Sequence, residues 1–171
     1  MRLLALSLAL LVFASPLAAC SRKRGRVISS HGVRVAVPHG WQPVEPAGDG
    51  NVVDPRTVLV VGTAGVRPRS SQCQIAAYRV QPAGAVVVVV RWKTLTSGAG
   101  DGETGRAPLR KLLRVTRPSF ECFGGRGAAV ELGLRGHAYQ VNVLVGDEAS
   151  DRRVAEALRV ARSLRVVQSR R

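Results

Sequence analysis

The stretch that decides the fold reads Ala128-Ala-Val-Glu-Leu-Gly-Leu134, then Arg135-Gly-His137, then Ala138-Tyr-Gln-Val-Asn-Val-Leu-Val145. The two flanking segments alternate apolar and polar residues, which indicates strands with one face buried. The segment between them contains glycine and suits a tight turn. The pattern therefore predicts an antiparallel β-hairpin, with the apolar face of its second strand formed by Tyr139, Val141, Val143 and Val145.

A helix is expected directly after this hairpin. Ser150 suits an N-cap, and Asp151 suits the positive end of a helix that runs to about Ser163. Leu164–Val167 can add a last short strand. The apolar stripe of this helix consists of Val154, Ala157, Leu158 and Ala161.

Further strands are predicted upstream of the hairpin. Ala85–Val90 contains five consecutive valines, which indicates a central strand covered on both faces. Segments 97–106 and 108–115 are interpreted as a glycine-rich loop and a short helix. The other predicted strands are Gly32–Pro38, with Val33, Val35 and Val37 on one face, Val58–Val61 and Gln74–Val80. The pattern as a whole predicts an α+β fold, mainly an antiparallel β-sheet with the C-terminal helix packed on it.

The first twenty residues have the composition of an export signal. Arg2 is followed by an apolar run over Leu3–Phe13 and by small residues, and the apolar run is too short to span a bilayer comfortably. Leu17-Ala18-Ala19-Cys20 resembles the lipobox of bacterial lipoproteins. The resemblance implies a diacylglyceryl group on the Cys20 thiol and cleavage just before Cys20. The alternative is an ordinary cleaved signal in which Cys20 is incidental.

This interpretation divides the chain into a signal peptide (1–19), a basic tether (20–31), one α+β domain (32–167) and a tail (168–171). The tether carries four cations between Arg22 and Arg26, which either attract anionic headgroups or belong to a solvated spacer. The expected location is the outer face of the cytoplasmic membrane, or an outer membrane where one is present.

The charge of the chain bears on its partners. Lys and Arg number 26 against 11 Asp and Glu, so the net charge is +15, and about +14 once Arg2 is removed with the signal. An exported chain meets anionic lipid and wall polymer rather than nucleic acid, and two Trp, two Tyr and three Phe are poor material for base stacking. The expected partners are therefore the membrane, anionic lipid or cell-wall polymer, and an unidentified envelope protein.

Three cysteines are present. If Cys20 carries lipid, Cys73 and Cys122 remain as a pair in an oxidising compartment, which favours a disulfide. The alternative is two free, buried thiols.

Two segments resemble the PsbP/Mog1-like superfamily. Gly32-Val-Arg-Val-Ala-Val-Pro38-His-Gly40-Trp41 is similar to its opening strand and Pro-x-Gly-Trp turn, and the segment from Tyr139 to Leu164 is similar to its closing hairpin, helix and strand. Together they cover about a quarter of the chain. The resemblance implies an α/β/α sandwich and a non-catalytic binding or assembly role.

Catalytic motifs are not evident in the sequence. His31, His39 and His137 lack metal-ligand spacing, and Cys122–Gly127 lacks the Lys-Ser/Thr of a phosphate loop. We therefore expect no enzyme activity, cofactor or metal. The candidates for ligand or partner contact are Trp41, which could instead fill the core, and Arg152 and Arg153, which could instead form a solvated helix face. Two alternatives stay open, a cryptic envelope hydrolase and a structural lipoprotein that contacts anionic lipid or polymer by charge alone.

Overall fold

The computed structural model describes residues 25–47, 54–69, 77–93, 101–102 and 126–167. Within these ranges the chain forms eleven strands and one α-helix. In chain order they are β1 Arg26–Ser30, β2 Val33–Val37, β3 Trp41–Pro43, β4 Arg56–Thr63, β5 Arg67–Pro68, β6 Tyr78–Arg79, β7 Ala85–Trp92, β8 Asp101–Gly102, β9 Arg126–Leu134, β10 His137–Val145, α1 Asp151–Arg162 and β11 Arg165–Val166.

The larger sheet has six strands in the order β3-β4-β7-β10-β9-β8. Neighbouring strands are antiparallel except β8, which pairs in parallel with β9. Strand β7 lies between β4 and β10 and is buried on both faces from Ala85 to Val90. Consecutive valines suit this position because β-branched side chains pack well on both sides of a central strand. The predicted central strand at Ala85–Val90 is confirmed.

Strands β9 and β10 form the predicted hairpin. Leu134 pairs with His137 across a two-residue turn. Arg135 and Gly136 have φ angles of 51° and 74°, and two successive positive φ angles are the feature of a type I′ hairpin turn. Glycine adopts this conformation readily, whereas Arg135 pays a small steric penalty there. The turn sets the register that directs Tyr139 into the core.

One face of the six-stranded sheet is covered by α1 and by a smaller sheet in the order β1-β2-β11. Helix α1 begins after Ser150, whose Oγ accepts a hydrogen bond from the Arg153 N–H at 3.3 Å. The predicted cap, helix and last strand are thus confirmed. The helix has 12 residues, and no helix in the described part of the chain is long and apolar enough to cross a membrane. The core between these layers includes Val33, Val35 and Val37 of β2, and Ala157, Val160, Ala161 and Leu164 of the C-terminal segment.

The second face of the six-stranded sheet carries a separate apolar cluster. Tyr78 of β6 packs there with Val66 and Ala47 against Val86, Val88 and Val90 of β7. The Tyr78 hydroxyl accepts a hydrogen bond from the Ala47 N–H at 2.9 Å. This bond ties the segment after β3 to the β5–β6 pair. Within the described residues this face is covered by that segment and by the two-stranded β5–β6 sheet rather than by a helix.

The predicted boundary at residue 32 is wrong. Residues 26–30, assigned to the tether from the sequence, form β1 and pair antiparallel with β2, with Ile28 opposite Val35. Ile28 packs against the core, so a β-branched side chain holds this segment in the sheet. The small sheet therefore includes at least residues 26–30, which the sequence had assigned to the basic tether.

Other elements differ in extent from the prediction. The strand predicted at Gln74–Val80 is observed only at Tyr78–Arg79, and its residues before 77 lie outside the described part. Strand β8 falls inside the segment 97–106 that was interpreted as a loop. The helix predicted at 108–115 lies outside the described residues. The α+β fold with a mainly antiparallel sheet and a C-terminal helix is confirmed at this level of detail.

Candidate interaction surface

The described residues include no group of three or more His, Cys, Asp or Glu side chains placed to hold a metal ion. His31 sits in the β1–β2 turn, where its Nδ1 lies 2.8 Å from the Ser30 Oγ and 3.3 Å from the Val58 carbonyl oxygen. His137 begins β10 and meets Tyr139 edge-on, with ring centroids 6.5 Å apart. His39 lies in the turn before Trp41. The three histidines are therefore distributed over separate turns and strand ends.

Trp41 lies in the core. Only 2% of the residue is exposed, and it packs in the cluster between the six-stranded sheet, β2 and α1. Its carbonyl oxygen accepts a hydrogen bond from Arg26 Nη2 at 2.8 Å, while its indole Nε1 is buried without a hydrogen-bond partner. Of the two roles that the sequence leaves open for Trp41, this burial favours core packing over ligand contact.

Arg152 and Arg153 occupy the first turns of α1. Both face Glu156, with Arg152 Nε 3.6 Å from Glu156 Oε1 and Arg153 Nη1 bonded to Glu156 Oε2. The Arg152 side chain is 89% exposed. Because one carboxylate partly neutralises the two guanidinium groups, the start of the helix is less basic than its sequence implies.

A different surface combines charge with exposed apolar side chains. The outer face of the β1-β2-β11 sheet, here called the small-sheet face, is defined by register rather than by sequence proximity. Val27 lies opposite Ala36, Ser29 opposite Arg34, and Arg34 opposite Arg165. The small-sheet face thus consists of Val27, Ser29, Arg34, Ala36, Arg165 and Val167.

Val27 and Val167 are the large hydrophobic residues that the described part of the chain leaves exposed, at 60% and 40%. Successive side chains of a strand point to opposite faces of the sheet. Because the neighbouring residues Ile28 and Val166 pack against the core, Val27 and Val167 point outward. The N–H of Val167 donates to the Gly32 carbonyl at 2.8 Å, which continues the pairing of β11 with β2. Two exposed valines therefore flank a basic centre on one side of the small sheet.

That centre is a pair of arginines on adjacent strands. Residues directly opposite each other in an antiparallel pair have Cβ atoms about 4.5–5.5 Å apart, and like charges in this arrangement are destabilising. The Arg165 Nη1 group donates to the carbonyl oxygens of Leu164 at 2.7 Å and Arg162 at 3.5 Å, which holds its guanidinium near the end of α1. Arg34 is exposed and forms no ion pair within the described residues.

Ser163 attaches the end of α1 to this face. The Ala36 N–H donates to Ser163 Oγ at 2.7 Å, and the same hydroxyl lies 2.7 Å from the Val160 carbonyl oxygen. Ala36 belongs to β2, so these bonds fix the small sheet relative to the helix C-terminus. Arg162, exposed in the last turn of α1, is thereby placed beside the small-sheet face.

The segments that build this surface carry no acidic residue. Residues 25–44 and 157–171 contain neither Asp nor Glu. Within them the described cations are Arg26, Arg34, Arg159, Arg162 and Arg165. The surface therefore differs in charge balance from the start of α1, where Glu156 offsets the arginines.

Two other cross-strand arginine pairs are present in the described part. Arg56 lies opposite Arg91, and Arg67 lies opposite Arg79. Arg91 also contacts the hydroxyl of Tyr139, and burial raises the pKa of that hydroxyl while the charge of Arg91 and its hydrogen bond lower it. Opposed arginines alone consequently do not distinguish the small-sheet face, which is set apart by its exposed valines and its lack of carboxylates.

Sequence reasoning missed this surface. The alternation of buried valines in β2 already implies that Arg34 points outward. The pairing of Arg34 with Arg165 cannot be predicted from the sequence pattern, because 131 positions separate the two residues. Cys20, Cys73 and Cys122 lie outside the described residues, so lipidation and the disulfide stay predictions.

No protein-family model matches the chain, and no curated protein matches it.

Proposed function

We propose that this chain is an exported lipoprotein, anchored through Cys20, whose domain acts as a non-catalytic binding or assembly module at the envelope. The observation that carries the proposal is the small-sheet face. It exposes Val27 and Val167 beside opposed arginines, and β1, the strand that begins the domain, forms its edge. An anchor at Cys20 would hold this face near the membrane.

The resemblance to the PsbP/Mog1-like superfamily supports a binding role by analogy of fold, and an α/β/α sandwich is part of the proposal. Within the described residues α1 covers one face of the six-stranded sheet. A second helical layer would have to come from residues outside them, such as the helix predicted at 108–115. Fold analogy bears on function only weakly, so the exposed surface remains the main argument.

Anchoring is tested by replacing Cys20 with Ala in the native host and labelling with a fatty acid. We expect the Cys20→Ala chain to incorporate no label and either to leave the membrane fraction or to remain unprocessed, because the two acyl chains of the diacylglyceryl group supply most of the membrane affinity of the mature chain. Ser21→Ala, one residue further on, is the matched control and should behave as the unmodified chain. Unchanged labelling and processing of Cys20→Ala would refute the anchor.

The hydrolase alternative has its own test. The purified mature chain is offered peptide, glycan and ester substrates, and product is measured over time. The binding-module proposal expects no turnover. Turnover that persists through purification to homogeneity would overturn the non-catalytic role and restore the envelope hydrolase.

A further inference from the structure

We propose that the small-sheet face docks on anionic phospholipid headgroups, so that the β1-β2-β11 sheet lies against the membrane that carries the anchor. The inference rests on the proposed anchoring at Cys20 and names the partner of the same surface. It differs from simple charge attraction because it assigns the contact to one face of a domain whose basic residues are widely distributed.

Reach is the first argument. Five residues separate Cys20 from Arg26, and the six fully extended steps between the two span at most about 20 Å. The Debye length is about 10 Å at 0.1 M salt, so the start of β1 in an anchored domain stays within about two Debye lengths of the headgroups. Since β1 forms an edge of the small sheet, this sheet is the part of the domain that the tether holds nearest to the bilayer.

Charge is the second argument. Arg34 and Arg165 oppose each other across two strands without an ion-pair partner in the described part of the chain. A phosphate oxygen between two guanidinium groups would relieve their repulsion, and guanidinium matches phosphate with paired N–H donors. Arg162 and Arg159 at the end of α1 extend the positive region beside them. The nearest carboxylate on this helix, Glu156, already binds Arg152 and Arg153.

Apolar exposure is the third argument. Val27 and Val167 flank the arginines on the same face and are exposed by 60% and 40%. A surface that met only a hydrated, charged polymer would gain little from exposed valines. The interface of a bilayer accepts both classes, because short apolar side chains enter the headgroup boundary while arginine heads stay at the phosphates.

The experiment uses the mature chain with Cys20→Ser, so that lipidation contributes nothing to binding. Its retention is measured on phosphatidylglycerol–phosphatidylcholine vesicles, on phosphatidylcholine vesicles and on lipid-free anionic wall polymer. We expect binding to the anionic vesicles and at least about thirtyfold weaker binding after Arg34→Glu with Arg165→Glu, since each lost cation at an anionic surface costs about fivefold and the two new carboxylates add repulsion. The Val27→Ala and Val167→Ala double variant should weaken vesicle binding without affecting retention on polymer.

The matched control is Arg67→Glu with Arg79→Glu. It makes the same charge change at another opposed, exposed pair. We expect this control to bind vesicles within about threefold of the parent chain, given that exposed charges beyond a Debye length are largely screened. Equal losses in the two double variants would overturn the proposal in favour of diffuse charge. Preferential retention on lipid-free polymer, or on neither probe, would also overturn it.

Folding is checked by circular dichroism, and Arg34→Gln with Arg165→Gln replaces the charge reversal if that variant does not fold. The outcome is independent of the anchor, because the chain under test cannot be lipidated. Failure of the Cys20 labelling with intact vesicle docking would refute the anchor alone. Intact labelling without face-specific docking would refute this inference alone.

Discussion

The six-stranded and three-stranded sheets each contain a valine-rich strand, and these two strands differ in how many of their faces are buried. In β7 both faces are covered, and Val86 to Val90 are fully buried. In β2 only alternate residues are buried, and Arg34 and Ala36 face outward. The difference shows that burial on both faces supplies stability, whereas a strand covered on one face leaves a surface that can evolve for contact. Substitutions on the inner and outer sides of the small sheet should therefore separate stability from binding.

The largest expected change in the free energy of unfolding comes from the side of the small sheet that packs against the core. Leu164 is fully buried where α1 passes into β11, so Leu164→Ala should lower the free energy of unfolding by about 2–5 kcal/mol, through lost burial and the cavity left behind. Val27→Ala on the outer side should change it by less than about 0.5 kcal/mol. Urea unfolding of both variants measures the comparison. Similar losses for the two would show that the outer face is packed rather than exposed.

A substitution on the second face of the six-stranded sheet should change the free energy of unfolding by an intermediate amount. Tyr78→Phe leaves the Ala47 N–H buried without its acceptor, which should cost about 1–3 kcal/mol. Burial raises the pKa of Tyr78 to about 12, against the lowering effect of the Ala47 hydrogen bond. Because the folded pKa exceeds the unfolded value of 10, the protonated phenol favours the fold. This contribution is complete below pH 10 and is lost between pH 10 and about 12.

The measurement is urea unfolding from pH 8 to 12. The parent chain should lose about 2 kcal/mol from Tyr78 as the pH rises from 8 to 12. Burial raises the pKa of Tyr139 as well, despite Arg91, so Tyr139 contributes a loss of the same sign in both proteins. The difference between the parent and Tyr78→Phe therefore isolates Tyr78. Parallel curves for the two proteins would contradict its raised pKa.

The smallest expected change in the free energy of unfolding comes from the outer side of the small sheet, and it is a gain in stability rather than a loss. Arg34→Glu places a carboxylate opposite Arg165 and should raise the free energy of unfolding by about 0.2–1 kcal/mol at low salt. The gain should disappear in 1 M salt, where the Debye length is about 3 Å. Arg67→Glu, opposite Arg79, is the control for the same chemistry. A loss of stability in Arg34→Glu would mean that Arg34 makes a structural contact.

Much of the C-terminal fold could be predicted because its signals are local. The Ser150 hydroxyl accepts a hydrogen bond from the N–H of Arg153, only three residues away. Arg135 and Gly136 form the turn between two strands of alternating polarity. Such features are encoded within a few neighbouring residues. The start of the domain was predicted less well, since Arg26 to Ser30 look like a basic spacer until β2 offers an edge with which they can pair.

The sequence by itself determined the elements that depend on neighbouring residues, namely the hairpin, the capped helix and the central strand at Ala85–Val90. Only the tertiary structure decided that Trp41 is buried, that Glu156 offsets Arg152 and Arg153, and that Arg34 meets Arg165. The physical reason is range. Helix caps, turns and alternation act over two to four residues, whereas a surface is assembled by strand pairing between distant parts of the chain, and no local pattern specifies which edges will meet.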